Sequence, residues 1–202
     1  MKKSSVITAD KQGLQEKPAF LTGKRIYLRP LEMTDLQTFY YWFNNPELRQ
    51  YVQMPYPVSI EQEREFIDNA MKNTDPIVLA IVLKHADRLI GDIFMSPIDR
   101  VHRKASLGIA IGDTNSQSMG YGIEAMQLLI DYAFNTLNLH RLELSVYSFN
   151  VRAIKCYRKL GFKEEGRSRE AFFCTGSTMT YYKWVYLKGN GGGLNPGSSA
   201  AL

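Results

Sequence analysis

The stretch from Ser106 to Ser148 constrains the fold most. "SLGIAIG" from Ser106 reads as a strand. A loop follows, and then a helix over about 121–137 carries Ile123, Met126, Ile130, Ala133, Phe134 and Leu137 on one stripe. "RLELSVYS", Arg141 to Ser148, alternates Leu142, Leu144 and Val146, which predicts a second strand. Two strands joined through a helix lie parallel in one sheet, by a right-handed crossover.

The flanking segments call for antiparallel strands. "KRIYLRPL" alternates Ile26 and Leu28 against Tyr27 and Arg29 and ends at a proline. A helix is expected over "TDLQTFYYWFNN" with Thr34 as N-cap, and another from Ser59 to about Lys72 with Phe66, Ile67 and Met71 inward. The acids of this second helix, Glu61, Glu63 and Glu65, read as a solvent face. "IVLAIVLK" from Ile77 and "RLIGDIFMSPI" from Arg88 are strands separated from their neighbours by hairpin-sized breaks. A short helix over about 150–160 stops at Gly161, and strands near 161–173 and 178–188 flank the turn "CTGS". The expected fold is a single α/β (α+β) domain over 19–188: a mixed sheet, antiparallel at both ends, parallel once in the middle and flanked by helices. Residues 1–18 read as a loose arm and 189–202 as a flexible Gly/Ser-rich tail.

At 202 residues the chain is long enough for one domain with a proper core. A net charge of +5 favours polyanions such as phosphorylated cofactors. The basic residues form no block and no aromatic-interleaved pattern, so nucleic acid is not the expected partner. Two cysteines, Cys156 and Cys174, and no signal-type apolar region after Met1 point to free thiols in the cytoplasm. No run reaches the roughly 18 apolar residues of a membrane span.

"SQSMGYGIEAM", Ser116 to Met126, places small residues and two glycines directly before the helix of the crossover. The first N–H groups of such a helix are unpaired and sit at its positive end, where a phosphate binds without a lysine. Gly120 and Gly122 let the backbone approach a ligand. Neither GxxxxGK[ST] nor GxGxxG with a following acid is present; the pattern is QxxGxG, Gln117 to Gly122. A second constellation stands in "SFNVRAIKCYRKLGF", where Asn150, Ala153, Tyr157 and Leu160 share a helical face.

"LGIAIGD", QxxGxG, the helix with "EAM" and NxxAxxxYxxxGF together resemble the GNAT acetyltransferases. "LTGKRIYLRPLEMTDL", "NNPELRQY" and "EGRSREAFFCTG" are similar to the branch of ribosomal-protein alanine and spermidine N-acetyltransferases, and the resemblance covers about 20–188. It implies acetyl-CoA as co-substrate and direct transfer to an amine in a ternary complex. The strands 106–112 and 141–147 would splay, and the pantetheine arm would pair with main chain at Ile109, Ala110 and Ile111. The pyrophosphate would rest on the amides of Gln117, Ser118, Met119, Gly120, Tyr121 and Gly122, with Asn150 on the pantetheine.

By the same resemblance Tyr157 would protonate the departing thiolate, and a main-chain N–H near Ile111 would polarise the thioester. Asp113 and Glu47 are the candidate bases. Cys156 is not the expected nucleophile, since a neighbour of Tyr157 on a helix points about 100° away. No metal is implied. Relatives commonly carry Gly and Lys where Ser118 and Met119 stand, a lost charge that Arg152, Lys155 and Arg158 offset in part. They often carry His-Asp where Met179 and Thr180 stand. The acceptor groove is expected between the first two helices and the last hairpin; the acceptor is a small amine (a polyamine, amino sugar or antibiotic, the polyamine not favoured) or a protein N-terminus, and the protein a monomer or homodimer. The other reading is a non-catalytic acyl-CoA-sensing or partner-binding module.

Overall fold

In the computed structural model the described residues are 18–189 except 53 and 175, so the expected arm and tail lie outside them apart from Pro18 and Gly189. The chain runs β1 (Leu21–Thr22), β2 (Ile26–Pro30), α1 (Leu36–Asn44), α2 (Pro46–Arg49) and α3 (Ile60–Lys72). It continues through β3 (Ile77–Leu83), β4 (Arg88–Asp99), β5 (Lys104–Ile111), α4 (Tyr121–Asn135) and β6 (Arg141–Tyr147). It closes with α5 (Val151–Leu160), β7 (Lys163–Cys174) and β8 (Ser177–Leu187). One sheet has the order β1-β2-β3-β4-β5-β6-β8-β7. Its one parallel pair is β5–β6, joined through α4 as the crossover requires.

The apolar run of β3, "IVLAIVL", shows why both faces of this sheet are covered. Leu79, Ile81 and Leu83 enter one core with Met126, Leu129 and Ile130 of α4 and Ile154 and Leu160 of α5. Val78, Ala80 and Val82 enter a second core with Phe39 and Phe43 of α1, Leu48 of α2 and Ile67 of α3. A strand buried on both faces needs no polar alternation, and burying each such side chain contributes about 1.5–3 kcal/mol. The two cores occupy opposite faces. That division puts α4 and α5 on one side of the sheet and the first three helices on the other.

Local expectations are corrected in α1 and α3. Thr34 is not an N-cap but lies inside a 3-10 turn, Met33–Asp35, whose first N–H, from Glu32, donates to Asp35. Asp35 is fixed there by a buried two-pronged pair with Arg29 of β2, at 2.8 Å on each arm. The short helix α2 was not anticipated; Asn45 caps it by accepting from the Glu47 N–H.

On α3 the Ser59 and Gln62 capping box forms as expected. Phe66 and Met71, expected inward, are 42% and 51% exposed, while Ile67 is fully buried. The inward stripe runs Ile60, Glu63, Ile67 and Ala70 at helical spacing. A carboxylate in that stripe broke the apolar pattern, so the sequence pointed to the wrong face. Glu63 is therefore buried rather than solvated. Among the described residues no helix is long and apolar enough to cross a membrane.

Candidate active site

Pairing between β5 and β6 stops after three rungs: Lys104–Arg141, Ala105–Leu142 and Ser106–Glu143. Beyond Ser106, β5 stays with β4 as far as Ile111, whereas β6 follows β8 as far as Tyr147. The strands therefore splay, and each presents an edge of main-chain groups to the gap. A cavity of about 830 Å³ fills it. Ile109, Ala110 and Ile111 line one side and Leu144, Ser145 and Val146 the other.

At the open end the loop between β5 and α4 closes over the cavity with backbone. Gly120 adopts φ +83°, a left-handed conformation that glycine takes without strain, and α4 starts after it without a side-chain cap. The first N–H groups of α4 are thus left for an anion. Ser118 also takes a positive φ, +62°. Just upstream, a side chain at Gly112 would run into the Trp42 ring of α1 at 2.1 Å, so α1 packs directly on the backbone where the loop begins.

Gln117 ties the loop to both walls: its amide donates to the Ile111 carbonyl at 2.9 Å and accepts from Arg152 of α5 at 2.7 Å. Arg25, between β1 and β2, holds the other side. It donates to the Met119 carbonyl at 2.9 Å, pairs with Glu124 of α4 at 3.0 Å and lies over the Tyr121 ring. Sequence reasoning missed Arg25, because about a hundred residues separate it from the loop and no local pattern marks it.

On the opposite wall, Asn150 caps α5 by accepting from the Ala153 N–H at 3.1 Å. Asn150, Ala153 and Tyr157 then reach the cavity along one helical face, and Leu160 continues that face into the core. Burial holds the Tyr157 phenol well above its ordinary pKa, so it is a proton donor rather than a phenolate at neutral pH. Cys156 touches the cavity as well. Burial raises its thiol to about 11, which leaves it protonated and a poor nucleophile.

Of the residues singled out in sequence, Ile109, Ala110, Ile111, Gln117, Ser118, Gly120, Tyr121, Gly122, Asn150 and Tyr157 all line this cavity. Met119 and Asp113 do not. Met119 is 59% exposed on the outer side of the loop. Asp113 is committed elsewhere: it caps the 3-10 turn Thr114–Ser116 and its carboxylate binds Arg88 and Ser116. Glu47 is exposed and also off the wall. Arg152 and Lys155 line the cavity; Arg158 does not, and lies instead over the ring of Trp184, which does. The acidic side chains on the wall are Glu143 and Glu165 instead.

The helices expected to flank the acceptor do not reach this cavity. Neither α1 nor α3 contributes to the wall, because both spend their apolar sides on the core over β2 and β3. The mouth is built by Leu48, Tyr51 and Val52 in and after α2, and by Tyr181 and Lys183 of β8. Among the described residues no group of three or more His, Cys, Asp or Glu could hold a metal.

A mixed sheet with one splayed parallel pair, an uncapped crossover helix behind a left-handed glycine and a tyrosine on the far wall frame a single cavity. The family described as Acetyltransferase (GNAT) domain matches residues 25–163, and the chain belongs to that family. The spermidine N(1)-acetyltransferase of Escherichia coli K12 is 34% identical over 152 residues, 75% of this chain and 80% of that protein. The uncharacterized N-acetyltransferase p20 of Bacillus licheniformis is 29% identical over 171 residues, 83% and 96% of the two chains. The crystal structure of spermidine N-acetyltransferase from Vibrio cholerae in complex with CoA and spermine superposes with a TM-score of 0.75 at 28% identity, covering 81% and 95%.

Proposed function

We propose that the protein transfers the acetyl group of acetyl-CoA to a primary amine, on a small molecule or a protein N-terminus, by direct attack in a ternary complex. The observation that carries this reading is the break in β5–β6 pairing after Ser106, which joins the anion cradle to Tyr157 through one continuous cavity. The pyrophosphate lies against the N–H groups that open α4, supported by Arg25 and Arg152 around the loop. The pantetheine amides pair with the free edge of Ile109–Ile111, as an added strand would. Asn150 orients the arm where α5 begins.

The amine enters from the other face, between Tyr51 and Tyr181. Its lone pair attacks the thioester carbon, a main-chain N–H of β5 near Ile111 stabilises the oxyanion, and the C–S bond breaks as Tyr157 gives its proton to the leaving sulfur. The amine's proton leaves through water at the acceptor mouth, since Asp113 is tied to Arg88 and Ser116 and Glu47 is off the wall. A protonated Cys156 beside Tyr157 supports transfer without an acetyl-enzyme.

Acetyl-CoA offered with a panel of amines, with free thiol as the readout, tests the proposal. Amine-dependent thiol release is expected. Acetyl-CoA binding with transfer to no amine would favour a non-catalytic sensing or partner-binding module.

A further inference from the structure

The two halves of the cavity differ in chemistry, and the acceptor half bears on which amine fits. We propose that the acceptor is a primary amine carried on an aromatic or flat apolar body, with a single positive charge, and not a polyamine. This rests on the acetyl-transfer reading of the same cavity.

Side chains of β6 alternate between the two faces of the sheet. Leu142, Leu144 and Val146 are buried with α4 and α5, so Glu143, Ser145 and Tyr147 face the opposite side. Their partners there on β8 are Val185, Lys183 and Tyr181. A polyamine carries an ammonium at each nitrogen at neutral pH, and its recognition calls for carboxylates free to meet those charges.

Here the carboxylates are already taken. Arg141 donates to Glu143 at 2.5 Å and grips Glu165 with both arms of its guanidinium, one of them at 2.9 Å. These bonds to Glu165 and Glu143 hold the guanidinium charged far above any physiological pH. Of the remaining charged side chains on the wall, Arg152, Lys155 and Lys159 belong to α5 on the cofactor side and Lys183 to β8. Arg141 and Lys183 balance Glu143 and Glu165, so the acceptor side offers several ammonium groups no net attraction, and a single amine that loses its proton needs none.

What the acceptor side offers instead is ring surface. Tyr147 stacks with Phe149 at 5.2 Å and Tyr181 at 4.8 Å, and packs on Phe172 at 4.7 Å. Tyr51 meets Phe149 at 6.0 Å from the other side, and its own ring lies under the Arg152 guanidinium. Tyr51, Tyr147 and Tyr181 reach the cavity directly. A flat apolar body would extend this cluster by stacking and by expelling water from the mouth.

The test compares tryptamine, butylamine and spermidine as acceptors for the full-length protein with acetyl-CoA, reading thiol release. Expected is a kcat/KM for tryptamine at least about ten-fold above each of the others, the scale of one extra stacked contact or one unpaired charge. Tyr181→Ala should remove most of the tryptamine advantage while leaving acetyl-CoA binding intact. Arg141→Gln, checked for an unchanged melting temperature, frees Glu143 and Glu165 and should raise spermidine turnover several-fold. Wild-type preference for spermidine, or butylamine matching tryptamine, overturns the substrate class alone. Acetyl-CoA binding with no thiol release from any amine overturns the acetyl-transfer reading, and the class with it.

Discussion

The two faces of the sheet were built by different means. On the face covered by α4 and α5 the loop end of the cavity is made of backbone: a splayed strand edge, a left-handed glycine and uncapped helix N–H groups. On the other face the cavity is lined by side chains, a ring cluster and an Arg141 clamp on two acids, while two buried carboxylates lie away from it under α3. A backbone site tolerates changes of side chain, so Ser118 and Met119 can stand in the loop without unmaking it. A side-chain site does not, and there a family resemblance transfers least.

Ranked by expected effect, the substitutions that probe this contrast begin with Tyr157→Phe. Turnover should fall by about a hundred-fold or more, with acetyl-CoA binding within about two-fold of the parent. An unchanged rate would mean that solvent protonates the thiolate and would reduce Tyr157 to packing.

Gly120→Val attacks the backbone cradle itself. A β-branched residue at φ +83° costs roughly 1–3 kcal/mol, and its Cβ would stand 3.3 Å from the Arg25 guanidinium. The dissociation constant for acetyl-CoA should rise about ten-fold or more, measured by calorimetry, with the acceptor preference unchanged. A shifted acceptor preference would show that the faces are not separable.

Glu63→Gln probes the opposite face. Burial raises Glu63 to about 7, and burial together with the nearby Glu63 charge raises Asp92 to about 7. Both groups therefore hold protons in the folded protein that the unfolded chain has released. Stability then falls as pH rises from the ordinary carboxylate range, about 4, through 7. The glutamine variant should be more stable than the parent by roughly 1–2 kcal/mol at pH 8 in urea unfolding, with little difference at pH 5. A parent whose stability rises over that interval would show that the acids are ionised and paired.

Met119→Lys should give the smallest effect. A lysine at this exposed loop position near the α4 N-terminus should tighten acetyl-CoA by about two- to three-fold at low salt, and not at high salt. No change at either would show that Arg25 and Arg152 already supply the charge.

The same contrast explains what could be read from the residues alone. The β5–α4–β6 crossover and the Ser59 cap were legible because local spacing dictates them. So was the α5 face through Asn150, Ala153 and Tyr157. The left-handed entry to α4 was legible because Gly120 stands directly before the helix. Glu63 was not, since one carboxylate in an apolar stripe reads as a surface position until the packing of α3 is known. Arg25 and Tyr51 were not, because each acts on a partner about a hundred residues away, and the Arg141 clamp was not, because it needs Glu165 of β7 brought beside β6. Asp113 was misleading for the opposite reason: its place beside the loop suggested chemistry, and its partners Arg88 and Ser116 make it a cap.

Initial-rate kinetics with acetyl-CoA and an accepted amine varied together test most directly whether cofactor and acceptor meet through the gap between β5 and β6. Direct transfer from one face to the other predicts intersecting double-reciprocal lines. Parallel lines, the signature of an acetyl group passing first to Cys156 or another side chain, would contradict it.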